Sequence, residues 1–174
     1  MLGKIPFLLL LASSAAAAAA ADAGEELKHI RLYMHETFSG PNATEGEIVA
    51  SPFNTTFGQV AVFDNELRAG VGRASQLVGR YQGFIVAAGN ASPGYLTSAT
   101  VAFAAGGEFN GSTLSLEGPF FGFSGTVERS IVGGTGKLRM ARGYYLLRLI
   151  GKTSPVTAVS EFDLFVLMYN GYHQ

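Results

Sequence analysis

A glycine-rich turn followed by an alternating segment is the sequence feature that most constrains the fold of this chain. Three glycines stand in the short stretch Gly133-Gly134-Thr135-Gly136, and apolar and polar residues alternate after it. Glycine permits the positive φ of a tight reversal, and an apolar side chain at every second position is typical of a strand with one buried face. The pattern predicts a turn that feeds a strand extending to about residue 150.

The phase of this strand predicts that Arg142 lies inside the protein. Side chains repeat every two residues along a strand, so the guanidinium shares a face with its apolar neighbours Leu138, Met140, Tyr144 and Leu146. Burying such a charge costs several kcal/mol unless a carboxylate or other acceptors meet it. We therefore expect Arg142 to have a buried partner.

The alternating segment from Lys28 to Thr37 supplies a candidate partner, Glu36. This carboxylate follows the apolar residues at positions 30, 32 and 34 on one face, while His29 and His35 lie on the opposite face as solvated residues. A carboxylate in line with core residues is either solvated at the rim of the core or buried with a raised pKa, and the spacing leaves both open. If both faces line one interior, Glu36 and Arg142 form a pair.

The remaining pattern predicts an all-β fold, an eight-stranded antiparallel β-barrel. About eight alternating segments are separated by turn signals, no convincing helix follows the N-terminal segment, and 23 glycines are available to shape turns and bends. The segment between the turn at 40–44 and Asn54 is interpreted as a loop, and the next strand as Phe57–Asp64. A barrel of eight strands leaves an interior that holds one small ligand.

The N-terminal segment predicts secretion, and the charge argues against two classes of partner. Residues 1–21 are typical of a secretory signal peptide with cleavage near 21–23, which leaves one domain over 28–170. The net charge of −1 and the pI near 6.3 argue against nucleic acid and anionic membranes as partners. Four sequons stand in turn-like contexts and are candidate N-glycosylation sites: Asn42, Asn54, Asn90 and Asn110.

The residues that carry most enzyme chemistry are missing from the sequence. There is no cysteine, the three histidines lack ligand spacing, and no nucleophile elbow or nucleotide fingerprint occurs, so we expect neither a metal nor a cofactor. With 13 Phe and 7 Tyr, the predicted cavity suits a flat phenolic ligand that one or two polar groups orient.

Several ordered motifs resemble the plant dirigent proteins from about Leu32 to Tyr169. The matching segments include Leu32-Tyr33-Met34-His35-Glu36-Thr37, Gly79-Arg80-Tyr81-Gln82-Gly83-Phe84, Phe109-Asn110-Gly111-Ser112-Thr113-Leu114 and Gly133-Gly134-Thr135-Gly136 with Ala141-Arg142-Gly143-Tyr144. The resemblance implies an eight-stranded barrel that is secreted to the apoplast, glycosylated and homo-oligomeric, as a trimer or a dimer. It also implies a protein without an oxidative centre, acting in phenylpropanoid or lignan metabolism and plant defence.

The function implied by the resemblance is non-oxidative guidance of phenol coupling. A separate laccase or peroxidase makes phenoxy radicals of the monolignol type, and the barrel binds them so that they couple with one regiochemistry and handedness. Glu36 stands where the family commonly has Asp, Arg142 matches the Ala-Arg-Gly motif, and the predicted pocket adds Met34, Met140 and Tyr144. Two alternatives remain: a barrel cyclase or isomerase acting on a quinone-methide-like intermediate, and a defence protein that binds carbohydrate or the cell wall.

Overall fold

The computed structural model describes residues 24–92, 94–121 and 125–169, and the predicted signal peptide lies outside them. Within these ranges the chain forms nine strands: β1 Glu25–Thr37, β2 Glu45–Val49, β3 Val60–Arg68, β4 Leu77–Ala87, β5 Tyr95–Phe103, β6 Thr113–Phe120, β7 Thr126–Thr135, β8 Arg142–Ser154 and β9 Thr157–Tyr169. A 3₁₀ helix, Gly136–Leu138, separates β7 from β8. No helix in the described ranges has the length and apolar character that crossing a membrane requires.

Eight of the strands close into an antiparallel barrel, which confirms the predicted fold class. The hydrogen-bonded order is β1-β9-β8-β7-β6-β5-β4-β3, and β1 also pairs with β3 to complete the ring. The closing register places Tyr33 opposite Arg68 and Met34 opposite Leu67. Closure satisfies the backbone donors and acceptors that an open sheet would leave at its edges.

Alternate residues of each strand fill the barrel interior. On β9, the even-numbered residues from Ala158 to Met168 are buried, as the period of two requires. Three inward aromatic side chains form a central cluster: the Phe162 ring stacks on Tyr145 at 5.0 Å and meets Tyr81 edge-on at 5.2 Å. This cluster separates the two ends of the barrel, and we call it the aromatic plug.

Strand β2 corrects the interpretation of residues 45–54 as a loop. The turn at 38–43 returns the chain to β1, because the backbone N–H of Thr44 donates to the carbonyl oxygen of Thr37 at 2.8 Å. From there β2 pairs with the N-terminal half of β3, whose C-terminal half pairs with β1. Strands β1 and β2 therefore share one edge of β3, which brings the start of β2 beside the end of β1.

The phase predicted for β8 is wrong by one residue. The 3₁₀ helix and a turn at Met140, whose φ is 65°, interrupt the alternation, and the strand begins only at Arg142. Tyr145 and Leu147 consequently point inward, whereas Arg142 and Tyr144 point outward. The inward position beside them is Gly143, where a Cβ would lie only 2.0 Å from the carbonyl oxygen of Phe165.

Candidate functional site

A cavity of about 80 Å³ lies between the aromatic plug and the end of the barrel where β1, β4 and β6 finish. Its walls combine apolar and polar side chains from seven barrel strands and β2. The lining residues are Met34, Glu36, Glu45, Phe63, Asn65, Tyr81, Ile85, Thr97, Phe120, Arg129 and Leu147. Concave sites with apolar walls and a few convergent polar groups are typical ligand sites.

Two carboxyl groups meet at one side of this cavity. Glu36 points inward from β1 and is only 5% exposed, and the Ser160 hydroxyl donates a hydrogen bond of 3.2 Å to its Oε2 atom. The return of the chain at Thr44 places Glu45, the first residue of β2, against Glu36. On its other side, Glu45 accepts a hydrogen bond of 3.1 Å from the side-chain amide of Asn65.

The environment of Glu36 keeps this group protonated at neutral pH. Burial raises its pKa to about 8 from the ordinary 4.5, and charge repulsion and a shared hydrogen bond with Glu45 act in the same direction, while the hydrogen bond from Ser160 opposes them. Two carboxyl groups in contact cannot both ionise at low cost, so the pair holds one proton. The cavity thus contains a proton donor next to a proton acceptor.

Arg129 occupies the other side of the cavity, where it contacts the aromatic plug. It points inward from β7, is 7% exposed, and donates from Nη1 to the hydroxyl oxygens of Tyr145 at 3.0 Å and Tyr81 at 3.3 Å. The guanidinium also lies over the Phe120 ring, 5.1 Å from its centre. Burial raises the pKa of Tyr81 well above its ordinary value, so this hydroxyl stays neutral.

The structure separates the residues that the sequence placed together. Met34 and Glu36 line the cavity, but Arg142 does not, so the predicted pairing of Glu36 with Arg142 is wrong. Arg142 lies outside the barrel with its side chain 55% exposed, where its Nη2 donates to Glu25 at 2.9 Å. Met140 is 61% exposed at the turn, and Tyr144 stacks on the outer ring of Phe165. The interrupted phase of β8 accounts for all three.

Three further side chains were misplaced or missed by the sequence reasoning. His35 is buried rather than solvated, because the loop after β3 covers it and the carbonyl oxygen of Gly70 lies 3.3 Å from its Nε2 atom. Arg129 was not predicted, although it stands in an alternating run between Val127 and Ile131 and so carries the same signal that was read at Arg142. Glu45 was missed because its segment was interpreted as a loop.

A larger groove of about 330 Å³ lies at the other end of the barrel, but its charges are already paired. Lys28 forms an ion pair with Glu108 and lies 5.0 Å from the centre of the Phe109 ring. The ammonium group of Lys137 donates to the carbonyl oxygen of Glu108 at 2.8 Å. Since Glu36, a carboxyl group with a raised pKa, lines the smaller cavity, we assign the functional site to that cavity.

Comparisons with known proteins agree with this architecture. A family model described as Dirigent-like protein matches residues 27–167. Pterocarpan synthase 1 of Glycyrrhiza echinata is 36% identical over 152 residues, which cover 83% of this chain and 80% of that protein. Dirigent protein 1 of Arabidopsis thaliana is 33% identical over 146 residues, covering 82% and 79%.

The solved structures lead to the same family. The structure of a pterocarpan synthase dirigent protein superimposes on this chain with a TM-score of 0.75 at 33% identity, covering 86% of this chain and 89% of the other. This agreement confirms the resemblance seen in the motifs. The chain therefore belongs to the dirigent protein family.

Proposed function

We propose that this protein directs the stereochemistry with which a single phenolic molecule cyclises through a quinone-methide-like intermediate, and that Glu36 is its proton donor. The observation that carries the proposal is the buried carboxyl pair, in which Glu36 keeps its proton beside Glu45. A general acid with a pKa near the working pH transfers protons efficiently. The similarity to pterocarpan synthases supports a reaction of the synthase type.

The proposed reaction needs no oxidant. The phenolate oxygen of the substrate donates its electron pair into the ring, the benzylic C–O bond breaks, and the departing oxygen takes the proton of Glu36 and leaves as water. A second hydroxyl of the same molecule then attacks the benzylic carbon, the new C–O bond forms, and its proton returns to the Glu36 carboxylate. Electrons flow back to the phenolate oxygen, so the net change is loss of water with one face of the intermediate selected.

The size of the cavity favours one substrate molecule over two. Its volume of about 80 Å³ is roughly half of the ~150 Å³ that an engineered cavity uses to hold benzene. Two phenol rings therefore do not fit together, and a single ring would be held only in part, with the rest of the molecule in the mouth. The apolar contacts of that ring with Phe63, Ile85 and Phe120 would fix the face presented for closure.

Guidance of phenoxy-radical coupling is the second candidate, and membership of the dirigent family favours it. In this second candidate function, a separate laccase or peroxidase oxidises monolignol-type phenols, and the barrel orients the radicals as they couple. The aromatic lining of the cavity supports binding of such rings. The two candidates differ in a measurable requirement, because coupling needs an external oxidant and cyclisation does not.

The experiment that tests the proposal compares the purified protein with and without an oxidant. Without one, the substrate is a phenol bearing a benzylic alcohol and a second hydroxyl placed for ring closure, and products are resolved by chiral chromatography. We expect one enantiomer in excess, and we expect Glu36→Gln to lower the rate about 10²-fold or more. Glu128→Gln removes an exposed carboxylate from the outer face of β7 and is the matched control.

Two results would count against cyclisation. The first is a racemic product formed at the same rate with and without protein. The second is an enantiomeric excess from coniferyl alcohol that requires both laccase and this protein, which would establish the coupling role instead. A rate that Glu36→Gln leaves unchanged would remove Glu36 from the proposed mechanism.

We also propose secretion, glycosylation and self-association for this protein. All four sequon asparagines are exposed and lie outside the strands, as an acceptor for a glycan must. Apolar side chains on the outer face of β4, β5 and β7 suit a homo-oligomer contact, since Phe84 is 46%, Leu96 55% and Val132 54% exposed. A mass shift on deglycosylation tests glycosylation, and the molar mass in light scattering tests self-association.

A further inference from the structure

We infer that Arg129 and Tyr81 form a phenolate-binding site at the floor of the cavity, whose wall also carries the unpartnered hydroxyl of Thr97. The site would hold the ionised oxygen of an aromatic ligand whose ring lies against the apolar walls. This inference rests on the proposed function in one respect, since the phenolate is taken to be that of the substrate. The test of this inference measures binding alone, so its result does not depend on whether the proposed cyclisation is correct.

Unpartnered polar atoms concentrate in this cavity. Among the described residues, three buried side-chain polar atoms lack a hydrogen-bond partner, and two of them, Arg129 Nε and Thr97 Oγ1, belong to residues that line it. A buried polar group without a partner costs about 1–3 kcal/mol, and more when it is charged. Such a cost is typical of a site arranged for a ligand rather than of a structural contact.

The hydroxyl groups of Tyr81 and Tyr145 supply one further hydrogen-bond donor beside Arg129. Arg129 Nη1 donates to both hydroxyl oxygens, and the two hydroxyls lie 3.1 Å apart, so one hydroxyl hydrogen joins them. The second hydroxyl hydrogen has no acceptor among the described residues. When Tyr145 donates to Tyr81, the free O–H belongs to Tyr81, which lines the cavity. The floor thus offers free hydrogen-bond donors from Arg129 and Tyr81.

The charge of Arg129 is likewise unmatched within the part of the chain that the structure describes. Arg31, Arg142 and Arg148 form ion pairs with carboxylates, whereas Arg129 contacts hydroxyls and rings. The two acidic residues of the cavity contact each other and share one proton. An anion bound by Arg129 would therefore neutralise a desolvated cation, which strengthens its binding relative to a site in water.

The cavity selects the class of anion. One guanidinium matches a single negative charge, and a volume of about 80 Å³ excludes a large or multiply charged group. The walls on either side are aromatic and aliphatic, through Phe63, Ile85 and Phe120. A phenolate meets all three conditions with one oxygen on one flat ring. Holding that oxygen at Arg129 would also favour the electron release that the proposed cyclisation requires.

A spectroscopic titration with 4-nitrophenol tests the site, because the phenolate form of this probe absorbs visible light. We expect the purified protein to lower the apparent pKa of the bound probe by at least about one unit, which corresponds to a tenfold preference for the phenolate. Arg129→Met keeps a similar apolar volume without the charge and should abolish the shift. Arg129→Lys, which keeps a point charge without the planar fork, should retain part of it.

Matched controls separate charge recognition from simple packing. Arg148→Met removes an exposed arginine that pairs with Glu161 on the outer face, and it should leave the shift unchanged. The neutral probe 4-nitroanisole should bind wild type and Arg129→Met with similar affinity. Circular dichroism and thermal melting establish that each variant is folded, and Arg129→Lys gives a second variant if Arg129→Met does not fold.

Three results would overturn the inference. They are the absence of any saturable absorbance change, a bound probe whose pKa is unchanged or raised in the wild type, and tighter binding of 4-nitrobenzoate than of 4-nitrophenolate. The outcome is independent of turnover. If Glu36→Gln cyclises the substrate normally, the proposed proton donor is refuted, while a shifted probe pKa still supports the phenolate site. If the probe pKa is not shifted but turnover is intact, the phenolate site is refuted and the proposed cyclisation still stands.

Discussion

Charged groups such as Asp163 are paired on the outer face formed by β1, β8 and β9, whereas in the cavity they lack a partner of opposite charge among the described residues. On the outer face, Asp163 accepts hydrogen bonds from Arg31 at 2.8 and 3.0 Å and from His29 at 2.6 Å. Burial favours a raised pKa at Asp163, but these hydrogen bonds outweigh it and the pKa is lowered. In the cavity, no basic side chain among the described residues pairs with the Glu36 carboxyl group, and its pKa is raised.

The difference shows which charges serve the fold and which serve a ligand. Paired groups such as Asp163 and Arg31 stabilise the native sheet locally, although exposure and salt weaken them. Buried groups that meet no opposite charge among the described residues, such as Glu36 and Arg129, cost folding free energy because they are desolvated. A small barrel retains that cost where function requires it, which is why the cavity and not the outer face is the site of the proposed chemistry.

The largest effect on stability should come from the aromatic plug that forms the floor of the cavity. Phe162 is fully buried against Tyr81 and Tyr145, so Phe162→Ala should lower the free energy of unfolding by about 3–5 kcal/mol. Phe165→Ala removes an outward ring of the same strand that stacks on His29, and it should cost less than half as much. Urea unfolding of the two variants makes the comparison, and equal losses would contradict the assigned faces of β9.

Replacing Glu36 should have the next largest effect, which is a change in how stability depends on pH. Its pKa is raised from 4.5 to about 8 on folding, so the native state binds the extra proton between these values. Stability should therefore fall as the pH rises through this window, by at most about 1.4 kcal/mol per pH unit, and level off above it.

Glu36→Gln should remove that slope. The variant and the wild type should have similar free energies of unfolding near pH 5, because both side chains are neutral there, and the variant should be the more stable protein above pH 8. Unfolding curves measured across this range make the test. A slope that persists in Glu36→Gln would show that a group other than Glu36 produces it.

Replacing Asp163 should have a smaller effect of opposite sign. Because its pKa is lowered on folding, its contribution is present above its ordinary pKa of 3.8 and is lost as the pH falls through the lower native value. Asp163→Asn should cost about 1–2 kcal/mol at pH 7, a value reduced by the partial exposure of Arg31 and His29. Thermal unfolding of the wild type and of Asp163→Asn at pH 7 and near pH 2 tests this expectation. An equal cost of the substitution at both pH values would argue against an ionic contribution.

The smallest effect should come from Arg142, the residue that the strand pattern placed inside. Its pair with Glu25 is exposed on both sides, so Arg142→Ala should change the free energy of unfolding by less than about 1 kcal/mol. The stereoselectivity and the 4-nitrophenol shift should both remain. If Arg142→Ala loses the stereoselectivity or the 4-nitrophenol shift without losing stability, Arg142 belongs to the functional site. The difference between the cavity and the outer face would then not hold.

Short-range patterns in the sequence predicted much of this molecule. The strict alternation before Thr37 correctly placed Met34 and Glu36 on the inner face, because β1 runs without interruption through that segment. The spacing of turn signals predicted a closed antiparallel barrel, which the strand order confirms. These properties follow from the period of two, which depends only on neighbouring residues.

The partners of the site residues could not be predicted in the same way. The phase of β8 depends on a 3₁₀ helix and on the positive φ of Met140, and a change of one residue exchanges the two faces of a strand. That single change moved Arg142 outward, while Arg129 on the preceding strand points inward. Glu45 became the neighbour of Glu36 only through a turn stabilised by the hydrogen bonds of Thr44.

The sequence by itself determined most of the barrel strands, the barrel and the presence of a carboxylate on an inner face, since these arise from local periodicity and from glycine and proline at the turns. Only the tertiary structure decided which charges meet. It placed Glu36 beside Glu45, left Arg129 among hydroxyls and rings, and carried Arg142 to the surface. The physical reason is that desolvation and pairing depend on distances across the barrel, which closure sets and no local pattern records.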